Sequence, residues 1–130
     1  MLRILYPRFL ALLLAALASS ALGADDTLAA ALAELAQNGE VRVGAARVRN
    51  SEPLQAFYAA RAQRPAWSDP AASAGLLAAV HGAEREGLLP ADYHLDALLA
   101  AAPGANPGYP GMELLRSDAL IRLATHYVHG

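Results

Sequence analysis

The chain has 130 residues, enough for one ordinary domain, and a formal net charge of −2. It contains no Cys, which excludes disulfides, a thiolate nucleophile, a thiolate metal ligand and the lipid anchor of a lipoprotein. Residues 1–23 hold two of the ten basic residues and no acid; the rest sets eight Arg against twelve acids, near −4, a balance that argues against a nucleic-acid partner.

Arg3 and Arg8 precede an uncharged apolar run from Phe9 to Ala18, followed by the small residues Ser19 to Gly23. The pattern predicts an export signal over 1–23, cleaved before Ala24, and hence an exported protein. An uncleaved inner-membrane anchor is the alternative, although 16 uncharged residues fall short of the roughly 20 a span requires. All ten basic residues are Arg, with no Lys, and Ala is abundant; both read as codon bias rather than function.

Residues 24–130 are expected to form a single, mainly α domain with a short extended segment near residues 41–48. Asp25, Asp26 and Thr27 open a helix whose Leu28, Leu32 and Leu35 share one face, and Asn38-Gly39 ends it. Val41, Val43 and Val48 alternate with Arg42 and Arg47 around Gly44-Ala45, the pattern of two short strands. A second helix starts at Ser51, expected as N-cap with Glu52 and Pro53 in the first turn, and aligns Leu54, Phe57, Tyr58 and Arg61. Pro65 forces the chain out of helical geometry at Arg64, and Ser68-Asp69-Pro70 restarts a helix whose stripe runs through Leu76, Leu77, Val80 and Ala83 or Glu84 to Gly87. Leu88-Leu89 is expected to pack back on the core. Pro90 begins a short helix through Leu95, Leu98 and Leu99, and Pro103 to Gly111 is expected to be a loop. The last helix carries Leu114, Leu115, Ala119, Ile121, Leu123, Ala124 and Tyr127, an apolar arc wide enough to need neighbours on two sides and to leave an exposed patch.

Several groups invite a chemical reading. Tyr93-His94 offers a proton relay, but no motif supplies a nucleophile beside it, and neighbours on a helical turn point about 100° apart. The plainer reading has Tyr93 packing its ring and bonding its hydroxyl, and His94 capping or bridging backbone. His126 and His129 are two possible metal ligands where zinc takes three or four, with Asp118 too far along the helix to join easily. Glu84 and Glu86 read as a solvated face. Phe57, Tyr58 and Trp67 suit a sugar-stacking platform or, more simply, the core. Arg61 and Arg64 are expected to pair with Asp69 or Glu52, or to bind an anion. No catalytic residue, metal site or cofactor emerges.

The order of three stretches is more specific. LQAFYAARAQRPAWSDP (54–70), GLLPADYHLDAL (87–98) and RSDALIRLATHYVHG (116–130) together resemble the N-terminal scaffold domain of the large periplasmic murein L,D-transpeptidases. The positions that carry the resemblance are Phe57, Tyr58, Arg61, Pro65, Trp67, Gly87, Leu88, Pro90, Asp92, Tyr93 and His94. It implies a helical, non-catalytic scaffold, whose partner is a catalytic domain of the same longer protein or of a separate one, with peptidoglycan as a further partner. In that family catalysis belongs to a Cys with a nearby His in the catalytic domain, so no catalytic role passes to His94 or any other residue here. A stand-alone exported helical binding module is the alternative. On either reading Tyr93 and His94 are expected to lock a helix corner against the Phe57–Trp67 segment.

Overall fold

The computed structural model describes residues 24–101 and 110–129. The predicted export signal and most of the Pro/Gly-rich loop lie outside the described residues. The domain is mainly α, as expected: α1 (Ala24–Asn38), β1 (Val41–Val43), β2 (Ala46–Val48), α2 (Ser51–Ala60), α3 (Pro70–Gly82), α4 (Leu95–Ala100) and α5 (Pro110–His129), with 3-10 turns at Ala83–Glu86 and Pro90–Tyr93. Among the described residues no helix is long and apolar enough to cross a membrane.

Each element follows from local chemistry. Leu28, Leu32 and Leu35 are buried along one stripe of α1, and Gly39, at φ +76°, returns its N–H to the Leu35 carbonyl at 2.9 Å. The strands pair antiparallel in the register Val41↔Val48, Arg42↔Arg47, Val43↔Ala46, with the valines turned into the core. Gly44, at φ +60°, stands at the first central position of the two-residue turn, where a primed hairpin turn demands glycine. Asp69 caps α3, its Oδ1 accepting the Ala71 N–H at 2.9 Å, and Pro70 occupies the first turn. Gly87 leaves the following 3-10 turn in the left-handed conformation, φ +78°.

Five local expectations need correction. Ser51 is the first helical residue of α2, not its cap; Asn50 holds that position without a side-chain cap bond. Helix α2 stops at Ala60, before Pro65 acts, because Ala62 and Gln63 both turn left-handed and Gln63 N–H returns to the Tyr58 carbonyl at 2.7 Å. Leu89 does not pack back: it is 66% exposed, while Leu88 is half-buried. The helix begun at Pro90 breaks at His94, whose φ of +60° divides the 3-10 turn from α4. Pro110 and Gly111 belong to α5 rather than to a loop, since a proline in the first turn has no N–H to lose.

Helix α5 is the axis of the domain. It packs against α1, both strands, α2, α3 and the Pro90–Tyr93 turn. Residues 113–119 are buried in unbroken succession, so two helical turns are enclosed on every side. Leu114, Leu115, Ala119 and Leu123 join the core made by Leu28, Leu35, Val48, Leu54, Tyr58, Val80 and Tyr93. Leaving the enclosure, α5 exposes Leu120 midway along and Tyr127 and Val128 near its C-terminal end, while Leu114 and Leu115 are fully buried.

Candidate functional site

Enclosing two turns of α5 also buries Glu113, Arg116, Ser117 and Asp118. Buried polar groups persist only when bonded, so their partners define what the domain is built around.

The first cluster gathers the aromatic motif. Glu113 Oε1 accepts the backbone N–H groups of Ala66 and Trp67 at 2.9 and 3.0 Å, and its Oε2 accepts the Tyr58 hydroxyl. Tyr58 has one proton, and the carboxylate takes it; Ser117, 2.6 Å away, therefore donates to the phenol oxygen. Ser117 Oγ in turn accepts Trp67 Nε1 at 2.9 Å. The result is a one-way chain from indole N–H to Ser117 hydroxyl to Tyr58 hydroxyl to carboxylate, each bond polarising the next. Burial, then the bond to Glu113, raise the Tyr58 pKa well above the ordinary tyrosine value, with the Ser117 bond opposing.

Pro65 sets the approach of this segment. Its carbonyl accepts Arg61 Nη2 at 3.0 Å, and Arg61 Nε and Arg64 Nε each reach the other's carbonyl, at 3.3 and 3.0 Å. The guanidinium of Arg61 also lies 5.8 Å from the Phe57 ring centroid, and Phe57 meets Tyr58 edge to face at 5.0 Å. The expected pairing of Arg61 and Arg64 with Asp69 or Glu52 does not form; the two arginines instead tie off the irregular turn between α2 and α3. Tyr58 is fully buried and Trp67 7% exposed, so they are core, not a platform for a sugar.

The second cluster fixes the GLLPADYH corner. Gly87 turns the chain, Pro90 begins the 3-10 turn that carries Asp92 on its exposed side, and Tyr93 enters the core. Tyr93 hydroxyl bonds His126 Nδ1, and the rings meet edge to face at 5.5 Å. Burial, followed by the negative charge of Asp92, raises the Tyr93 pKa. His94 Nε2 lies 2.6 Å from Asp118 Oδ2, which also accepts Arg122 Nε at 2.9 Å. Asp118 is fully buried, and its Oδ1 has no partner among the described residues.

Two expectations change here. Tyr93 and His94 lock the corner to α5, not to the Phe57–Trp67 segment, because their side chains diverge to positions eight residues apart on that helix. His94 bonds a buried carboxylate rather than backbone. Of the α5 residues that receive the two motifs, Glu113 and Ser117 were not singled out in the sequence, and Asp118 and His126 were weighed only as metal ligands. A signal lay in the spacing: Glu113/Ser117 and Asp118/Arg122 are i,i+4 polar pairs set among the leucines of the helix. No group of three or more His, Asp or Glu that could hold a metal occurs among the described residues, and His126 serves Tyr93 instead.

The hydroxyls and carboxylates of the first cluster are sealed from solvent, so what they do is hold the α2–α3 turn onto α5. Comparison with curated proteins gives no match, and comparison with solved structures gives none. The family model described as Scaffold domain matches residues 52–130, a stretch that begins in α2 and includes all eleven motif positions and the α5 residues Glu113, Ser117, Asp118 and His126 that receive them. By that match, across more than half its length, the chain belongs to the Scaffold domain family.

Proposed function

We propose that the chain is the non-catalytic scaffold region of a peptidoglycan cross-linking L,D-transpeptidase, exported to the periplasm through residues 1–23 and acting in cell-wall biogenesis. The observation that supports this reading is convergence. The FYAARAQRPAW and GLLPADYH motifs, 30 residues apart at their first positions in the chain, are both bonded to buried polar residues of α5, the first through Ser117 and the second through Asp118, both in the third stretch of the resemblance. Partners of this scaffold are a catalytic domain of the same longer protein or of a separate one, and peptidoglycan. Acyl transfer between stem peptides needs an activated nucleophile, and the chain, without Cys, leaves that role to the catalytic domain.

Deleting the gene and analysing the sacculus by liquid chromatography and mass spectrometry tests the proposal. The cross-links formed by L,D-transpeptidation should fall; an unchanged muropeptide profile counts against it. A second reading, a stand-alone exported binding module, is favoured by the exposed Leu120, Tyr127 and Val128 in the C-terminal half of α5. The DNA beyond codon 130 separates the two, since an in-frame catalytic domain with a Ser-His-Gly-Cys type motif supports the first.

A further inference from the structure

The outward face of the β1–β2 hairpin carries a charge arrangement that its folding does not require. With Val41 opposite Val48 and Arg42 opposite Arg47, the register places Glu40 opposite Arg49 one step further on. Residues 40, 42, 47 and 49 therefore form a two-by-two grid on the solvent side, three guanidiniums to one carboxylate. Glu40 is shared: its Oε2 lies 3.3 Å from Arg49 Nε and its Oε1 3.8 Å from Arg42 Nε. Arg47 has no ion pair or hydrogen bond among the described residues. Its cross-strand neighbour is another arginine, and like charges directly opposite on a hairpin destabilise it.

We infer that Arg42 and Arg47 form a binding site for an oxyanion, a carboxylate or phosphate group held between the two guanidiniums. Opposed Cβ atoms stand about 5 Å apart, close enough for two planar forks to address one anion from both sides. Both side chains are exposed, Arg42 by 67%, so the ligand enters without rearrangement. Burial of Val41, Val43 and Val48 against α5 and α1 holds the backbone beneath the pair. Charge on the rest of the domain selects for a small ligand. Outside the grid, residues 24–130 carry five Arg against eleven acids, which repels an extended anionic surface such as a membrane while leaving the local pair free to act. The hairpin precedes the stretch matched by the Scaffold domain family model, so the site uses none of the matched residues.

The test uses the whole protein and follows the arginine Nε–Hε signals by NMR during titration with inorganic phosphate, with acetate, and with vesicles of anionic phospholipid. Phosphate and acetate should shift the Arg42 and Arg47 signals saturably. Arg47→Gln should weaken that binding about tenfold or more, as the loss of one charge-assisted fork implies. The same variant should melt at a higher temperature in low salt, because the opposed like charges are gone, and unchanged valine amide signals would show the hairpin intact. Arg85→Gln, altering an exposed arginine elsewhere, should leave binding as it was. Shifts spread evenly over all arginines, binding that survives Arg47→Gln, a lower melting temperature for that variant, or a response to vesicles alone would each overturn the site.

Discussion

The carboxylate of Glu113 receives the backbone N–H of Trp67 at 3.0 Å, across 46 residues of chain. It also takes the Ala66 N–H and the Tyr58 hydroxyl, so one buried side chain on α5 satisfies three donors of the α2–α3 segment. Removing it strands the two N–H groups and leaves the Tyr58 hydroxyl only the Glu113 backbone carbonyl, at 3.1 Å, as acceptor. Glu113→Ala should cost about 3 kcal/mol or more, as each buried unsatisfied group costs about 1–3 kcal/mol. Glu113→Gln, which keeps an oxygen for the two N–H groups, should cost clearly less. Urea denaturation of both variants checks the order; equal losses would mean that the charge, not the acceptor geometry, matters.

Trp67 is the only tryptophan in the chain and is buried, with its indole N–H on Ser117. The folded protein should emit well to the blue of hydrated tryptophan and shift red on unfolding. Trp67→Ala should destabilise by about 3–5 kcal/mol as a large-to-small core change. Trp67→Phe should cost less while leaving Ser117 without its donor. Emission at the hydrated wavelength in the native state would contradict the burial.

Tyr58 links the cluster to pH. Its pKa is raised in the folded state by burial and by Glu113, whereas the unfolded chain titrates near the ordinary 10.0. The folded state thus holds the proton more tightly. Its contribution is whole below about pH 10 and is lost as pH rises and the unfolded tyrosine ionises. Stability measured by urea titration from pH 8 to 11 should fall at the alkaline end, and Tyr58→Phe should flatten that fall despite a lower starting stability. An equally steep decline in the variant would assign the effect elsewhere.

The His94–Asp118–Arg122 group predicts an asymmetry between single and double variants. His94→Ala leaves a fully buried carboxylate held by Arg122 alone and should cost about 2–4 kcal/mol, toward the lower end of values for a broken buried pair. With Asp118→Asn already present, the same change should cost much less, since no buried charge is then abandoned. A double-mutant cycle reads the difference. Additive losses would show that His94 acts through its left-handed backbone rather than its imidazole.

Much of the architecture was legible in the sequence because it depends on residues a few positions apart. The leucine stripe of α1, the valine alternation around Gly44, the helix start at Ser68-Asp69-Pro70 and the stop at Gly87 are each set by local backbone and solvent preferences, and all occur where expected. Two left-handed residues at Ala62 and Gln63 were not legible. Neither residue type favours that conformation, and it exists because Arg61, Pro65 and Glu113 hold the segment that follows.

The decisive case is α5. Apolar periodicity reports the face a helix turns to a single core, and it gives no reason to bury Glu113, Ser117 and Asp118, because polar residues alone are costly to bury. In the folded protein those positions are enclosed, and their cost is offset by Tyr58, Trp67 and His94, donors that lie 24 to 55 residues earlier in the chain. Sequence by itself determined that FYAARAQRPAW and GLLPADYH each carry a turn between helical segments. Only the tertiary structure decided that both close onto one central helix, because a buried hydrogen bond is specified by two distant residues at once and neither of them alone reveals it.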